Sequence, residues 1–235
     1  MTIQAIDCLG VVLAGGLSSR MGQDKSQLSR QKINHQKLSH QSKVANSSVN
    51  SYVKSEISML DFSKQLLVDA GIKNIVISGD NHQIPDCVAQ AGPVGGIYSV
   101  LAHYLVHSPE HLQPKALLIL PVDLPLMTAS ALAQLRLKGE LSQKATFFSD
   151  GQKNMHHIPL YLPNNAFLSM FLTQAFRGDK IHENNGKGNQ KNSKNGPSVR
   201  SMLEKIPHQA ISNQNSKILM NTNTPEQWQQ AQQQF

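Results

Sequence analysis

Residues Cys8–Lys25 read "CLGVVLAGGLSSRMGQDK", an apolar run that gives way at Gly15 and Gly16 to a polar, glycine-rich stretch. Cys8 to Leu13 reads as a buried strand, because it offers water no polar face. Beyond it neither regular element fits. Adjacent Gly15 and Gly16 weaken a helix, and the run from Arg20 to Lys25 does not suit a strand. The remaining reading is a loop at the carboxyl end of a strand, with bare backbone amides for an anion and the cations Arg20 and Lys25 nearby. An ordinary polar turn with exposed cations fits this stretch, taken alone, as well.

Working outward, "MLDFSKQLLVDAGIKNIVISGD" (59–80) places Leu60, Leu67, Phe62 and Leu66 at helical spacing, stops at Gly71 and continues into a strand from Asn74 to Ile77. With the first strand this makes a βαβ unit. "KALLILPVD" (115–123) is a third strand, too apolar to face water on either side. "TASALAQLRLKG" (128–139) is a helix with Thr128 as N-cap and Gly139 past its end. A strand near Ala145 to Phe148 and a helix from about Asn165 to Phe176 follow. "KILMNTNTPEQW" (217–228) reads as a short strand, a turn and a helix begun by Thr224, Pro225 and the capping partner Gln227. Alternating strands and helices predict an α/β fold, a Rossmann-like, doubly wound, mostly parallel sheet in a single domain spanning 1–235. Ligands of such sheets bind beyond the carboxyl ends of the strands. The polar features Leu13–Lys25, Ser78–Asp86, Asp123, Asn221 and Asn223 all fall there.

Two segments depart from this pattern. Residues 29–58 and 178–196 are dominated by Asn, Gln, Ser, Lys and Gly, and are expected to be low-complexity polar insertions. The first carries Arg30, Lys32, Lys37, Lys43 and Lys54 against Glu56, and the second carries four lysines against Asp179 and Glu183. Between them they hold +6 of the net charge of +7, so the rest of the chain is near neutral and the basic pI of 9.4 does not predict nucleic-acid binding. Cys8 and Cys87 lack metal-ligand or CxxC spacing, which fits a reducing compartment. The longest uninterrupted apolar run, Ala116–Leu120, is too short to span a bilayer, and the amino terminus lacks a signal-peptide pattern. A cytoplasmic protein without a membrane partner is expected.

The opening loop matches neither common phosphate motif. GxGxxG is absent, and five residues separate Gly16 from Gly22 where the P-loop has four. A glycine-rich turn bearing Arg20 and Lys25 can still cradle a triphosphate, the cations offsetting charge that moves toward a leaving pyrophosphate. Asp123, in "LPVDLP", can cap the turn before the next helix. It can equally offer a hard carboxylate oxygen to Mg²⁺, whose octahedron water and phosphate would complete. Gly92, Gly95 and Gly96 allow close backbone approach, or simply a tight turn, and open a helix beginning near Ile97.

"LAGGLSSRMGQDKSQL" (13–28) resembles the signature LAGGxSxRMGxDKxxL of the molybdenum cofactor guanylyltransferases, within the wider nucleotidyltransferase fold that makes sugar nucleotides, and matches every fixed position. In the same order, "GPVGGIYSVL" (92–101) resembles the family's GPLAGI, "LPVDLPLM" (120–127) its PCDxP, and "NTNTPEQ" (221–227) its NxNTPED. The resemblance covers most of the chain outside the two polar segments. It implies transfer of GMP from GTP to molybdopterin bearing molybdenum, with Mg²⁺ on Asp123. It implies nucleotide contacts at Leu13, Ala14, Gly15, Gly16, Lys25, Asp86 and Asp123, and catalysis by Arg20, Lys25 and Asp123. It further implies proteins that donate and accept the cofactor. "MHHIPLY" (155–161) partly resembles a segment on the second-substrate side, which nominates His156 and His157. Asn221 and Asn223 match asparagines near the pterin. Ser78 stands where the family often has asparagine, and the family's GkPl segment is displaced by residues 29–58. A cytidylyltransferase for the same pterin, a sugar-phosphate transferase and a non-catalytic nucleotide-binding regulator or carrier are the alternative readings.

Overall fold

The computed structural model describes residues 6–15, 22, 24–33, 54–150, 154–176, 195–213 and 215–235. Strand β1 (Leu9–Leu13) is buried along its whole length. Leu9, Val11 and Leu13 face one apolar cluster and Val12 the other; β5 (Ala116–Pro121) divides likewise, with Leu117 and Ile119 opposite Leu118 and Leu120. A strand covered on both faces needs no polar side, which is why both segments read as unbroken apolar runs. β1 pairs in parallel with β4 (Asn74–Ser78) on one side and β5 on the other. Helices α1 (Met59–Asp69) and α3 (Ala129–Ser142) cover one face through Leu66, Leu67, Leu132 and Leu135. Helices α2 (Gly92–His107), α4 (Ala166–Ala175) and α5 (Val199–Leu203) cover the other through Val94, Ile97, Leu168, Leu172 and Met202.

The expected doubly wound, mostly parallel sheet is present, with six strands in the order β4, β1, β5, β7 (Met155–Pro163), β6 (Ala145–Ser149) and β8 (His208–Ser212). β6 and β8 pair in parallel, and β7 runs antiparallel between β5 and β6. The reversal follows from chain length, because residues 150–154 are too few for a helical crossover. The Asp150 N–H donates to Asn154 O at 3.0 Å, and Asn154 returns backbone and side-chain donors to the Asp150 carboxylate, both at 2.8 Å. The first residues of β7 consequently lie at the carboxyl edge of the parallel strands.

Three expectations are corrected. Lys217–Met220 is not a strand: Ser216–Leu219 forms a 3-10 turn, and the strand near the carboxyl end is β8. β8 supplies the backbone partner for β6, leaving Ile218 and Leu219 to bury their side chains. Helix α2 begins at Gly92 rather than near Ile97, with Pro93 in its first turn, where a missing N–H costs nothing. Helix α3 does not stop at Gly139 but continues to Ser142, and Gln143 adopts the left-handed conformation that ends it. Gly139 is a packing residue. The ring of Tyr161, only 3% exposed, lies where a Cβ on Gly139 would be.

The polar segment 29–58 is anchored at both ends. β2 (Ser29–Ile33) and β3 (Lys54–Ser58) pair as an antiparallel ribbon. Beside it Leu28 and Met59 bury against Trp228 of α6 (Pro225–Gln232). Arg30 is not a loose solvated cation: its guanidinium lies 4.1 Å from the ring centroid of Phe62 and 4.5 Å from that of Phe235, and its Nε donates to Pro125 O at 2.9 Å. Asn195, near the end of segment 178–196, donates to Gln90 O and Ala89 O at 3.3 and 2.9 Å. Residues 34–53 and 177–194 lie outside the described residues. No helix among the described residues is long and apolar enough to cross a membrane.

The Tyr161 contact sets a sign for one substitution. Gly→Ala within a helix ordinarily gains about 1 kcal/mol, but Gly139→Ala must displace a buried ring, an overpacking cost of about 1–3 kcal/mol. Urea denaturation is expected to show the variant less stable than wild type, and a more stable variant would contradict the packing role.

Candidate active site

The register of the sheet assembles the site. Leu13 lies opposite Ser78 on one side and Pro121 on the other, so the chain leaves three adjacent parallel strands at one level. The Ala14 N–H donates to Ser78 O at 2.9 Å and the Val122 N–H to Leu13 O at 3.3 Å, carrying the ladder just past the strand ends. Asp24 then caps a 3-10 turn over Lys25–Gln27, its carboxylate accepting the Ser26 N–H at 2.9 Å.

This turn aims Lys25 back across the sheet edge. Its Nζ donates to Asp123 Oδ2 at 3.1 Å and to Asn223 Oδ1 at 2.7 Å. The paired side chains of Lys25 and Asp123 are 17% and 19% exposed, reachable but largely shielded. The Asp123 carbonyl accepts the Thr222 N–H at 2.9 Å and the Thr222 hydroxyl at 3.3 Å, fixing the carboxyl-terminal strap to the end of β5. The capping box expected from the sequence holds the next turn, with Gln227 Oε1 accepting from the N–H groups of Asn223 and Thr224.

On the other side of β1 the backbones of two loops nearly touch. A Cβ on Gly79, at φ +152°, would sit 2.7 Å from the Gly15 nitrogen, so only glycine fits there. A Cβ on Gly15 would lie 3.3 Å from Asp86 Oδ2, and one on Gly96 would lie 3.1 Å from Ser78 Oγ and 3.9 Å from Asp86 Oδ1. Asp86 therefore lies between the loop after β1 and the first turn of α2. Burial and the charge of Asp80 raise its carboxyl above the usual aspartate range, while a hydrogen bond from the Ser78 hydroxyl acts against them. The Ser78 side chain is buried, with Gly96 O at 3.4 Å.

Leu13, Ala14, Gly15, Lys25, Asp86 and Asp123 thus gather at one edge, as do Ser78 and Asn223. Gly16 and Arg20 lie outside the described residues. Asn221 is exposed at the start of the strap. His156 and His157 also lie toward this edge, but on the β6 side. His156 Nε2 is 3.9 Å from Asp150 Oδ2, and the His157 ring lies edge-on to Phe147 at 5.1 Å. Burial and the neighbouring Arg200, His208 and His156 push the His157 pKa down. Sequence reasoning did not find Thr222 or the Asn223 contact with Lys25, since each joins residues about a hundred or more positions apart; only the capping box beside them was legible.

The family model for the MobA-like NTP transferase domain matches residues 10–184. The chain belongs to this family. As a MobA-like nucleotidyltransferase it is similar to a molybdenum cofactor guanylyltransferase of Xanthomonas euvesicatoria pv. vesicatoria (strain 85-10), at 27% identity over 224 residues, 93% of this chain and 91% of the relative. Its fold is shared with molybdopterin-guanine dinucleotide biosynthesis protein A of Archaeoglobus fulgidus, with TM-score 0.57, 13% identity, and 96% of this chain and 97% of that one covered. It is also shared with Rv0371c of Mycobacterium tuberculosis H37Rv, solved in complex with manganese, with TM-score 0.54, 12% identity, and 98% and 100% covered.

The raised Asp86 pKa fixes a pH dependence. The folded nucleotidyltransferase binds this proton more tightly than the unfolded chain, so ionising Asp86 costs stability. The loss accumulates as pH rises from the ordinary aspartate value through the raised one and stays constant above. Asp86→Asn removes the cost. In urea denaturation the variant is expected to be more stable than wild type at neutral pH, with the advantage fading as pH falls toward about 4. A variant no more stable at neutral pH would contradict the strain assigned to Asp86.

Proposed function

We propose that this nucleotidyltransferase transfers GMP from GTP to molybdopterin bearing molybdenum, forming the guanine dinucleotide and releasing pyrophosphate. The observation that carries the reading is the meeting of Lys25 with Asp123 at the mouth of β1 and β5, with Gly15 and Asp86 alongside. The name of the Xanthomonas relative supports the choice of substrates.

In this reading the acceptor's terminal phosphate is already a nucleophile, so no general base is needed. One of its oxygens bonds to the α-phosphorus of GTP as the bond to the β-phosphate oxygen breaks, and that electron pair leaves with pyrophosphate. Catalysis is then alignment and charge stabilisation. Because the Ala14 N–H is taken by Ser78 O, the backbone at Gly15 and Gly16 would meet the phosphates, and Lys25 and Arg20 would offset their charge. Asp123 suits a divalent cation: it is a hard oxygen donor, partly open, and its ammonium partner Lys25 would be drawn to an arriving triphosphate. Among the described residues no three His, Cys, Asp or Glu side chains form a cage. A single carboxylate, with phosphate and water completing the shell, is how Mg²⁺ is usually held. When bound, the cation would withdraw charge from the phosphates. Asp123→Asn is expected to lower turnover and to shift half-maximal activity to higher Mg²⁺; equal activity across a magnesium titration would remove Asp123 from metal binding.

Amides and cations on phosphates are blind to the base, so selection falls to groups such as Asp86. Guanine presents N1–H and an exocyclic amine, both donors to a carboxylate, whereas cytosine presents an acceptor at N3. An unmatched pairing there would cost about 1–3 kcal/mol. Pyrophosphate release measured with GTP and CTP on wild type and Asp86→Ala tests this. GTP is expected to win by about tenfold or more, and the variant to narrow that ratio more than it slows the GTP reaction. A wild-type preference for CTP would overturn the guanylyl reading, and an unchanged ratio would remove Asp86 from base selection.

A further inference from the structure

Lys25 has two partners, and the shorter contact is the neutral one, 2.7 Å to Asn223 against 3.1 Å to Asp123. An ammonium only donates, so the Asn223 amide must turn its oxygen toward it. The backbone around Asn223 is fixed on both sides. Thr222, fully buried, donates its N–H and hydroxyl to the Asp123 carbonyl. The Asn223 N–H itself donates to Gln227 Oε1 at 2.7 Å, inside the capping box of α6. The amide oxygen is thus set by the frame that also holds Asp123, and the spacing between Lys25 and Asp123 is built into the strap.

Resting on the nucleotidyl-transfer reading, we infer that Asn223 is a positioning residue for Lys25. Its neutral oxygen keeps the ammonium at the edge of β5 when the Asp123 carboxylate is committed elsewhere. Charge explains the residue type. An aspartate would hold Lys25 more strongly but would place a second negative charge where a triphosphate arrives, whereas an amide offers the acceptor without the repulsion. A lysine without this acceptor would be free to follow Asp123 or to swing into solvent, at a cost in alignment.

A double-mutant cycle and chemical labelling test the inference together. kcat/KM for pyrophosphate release is measured for wild type, Lys25→Ala, Asn223→Ala and the double variant. Asn223→Ala is expected to lose about tenfold in the wild-type background and almost nothing in the Lys25→Ala background, because coupled residues are non-additive. Independently of any substrate, acetylation of Lys25 by acetic anhydride, read by mass spectrometry against the exposed Lys138, is expected to accelerate several-fold in Asn223→Ala. Asn223→Asp is expected to keep Lys25 protected while raising KM for GTP. Equal losses in both backgrounds, or Lys25 labelling at the wild-type rate in Asn223→Ala, would overturn the positioning role, as would Asn223→Asp labelling like the alanine variant. Absence of turnover with GTP in the wild type would instead defeat the guanylyl reading, and the labelling result would still decide for or against Asn223.

Discussion

One ammonium joins three distant parts of this chain. Lys25, at the end of the loop after β1, reaches Asp123 beyond β5 and Asn223 in the carboxyl-terminal strap. Exposed ion pairs contribute little to stability. The shielding of this one, and the hydrogen bonds behind both acceptors, fit a pair kept for geometry. The parallel register of β1 and β5 sets the level at which the two charges meet, and Thr222 stops the strap from drifting away from it.

The other half of the edge works by close backbone approach. Gly15 and Gly79 come so near that a Cβ on Gly79 would meet the Gly15 nitrogen at 2.7 Å, and Asp86 lies beside Gly15 and Gly96. The Ser78 hydroxyl steadies a carboxylate that burial and Asp80 disfavour. A carboxyl group held against its own preference at a sheet edge is common at functional sites. Here it stands across β1 from the cation–carboxylate pair, so one strand end lies between the two groups.

What the sequence disclosed follows from the range of the interactions concerned. The buried strands β1 and β5, the caps at Thr128 and Thr224, and the motif residues Lys25 and Asp123 all leave local marks, either an unbroken apolar run or a fixed spacing. β8 escaped because an edge strand needs no strong apolar pattern; it alternates only between exposed and half-buried. Gly139 looked like a helix end because glycine commonly serves there, while its actual constraint is a ring from β7. The ribbon β2–β3 looked like filler, since backbone pairing and one arginine between Phe62 and Phe235 require no apolar alternation. The Asn223 contact could not be read at all, because nothing near position 223 records that Lys25 will be its neighbour.

The most direct test of the central claim, that the Lys25 ammonium at the end of β1 stabilises charge during nucleotidyl transfer, is the rate of pyrophosphate release by Lys25→Ala at saturating GTP and acceptor, with circular dichroism confirming the fold. Removing a charge-assisted contact to the reacting phosphates predicts a fall in turnover of about a hundredfold or more. Turnover equal to wild type in a folded variant would contradict it.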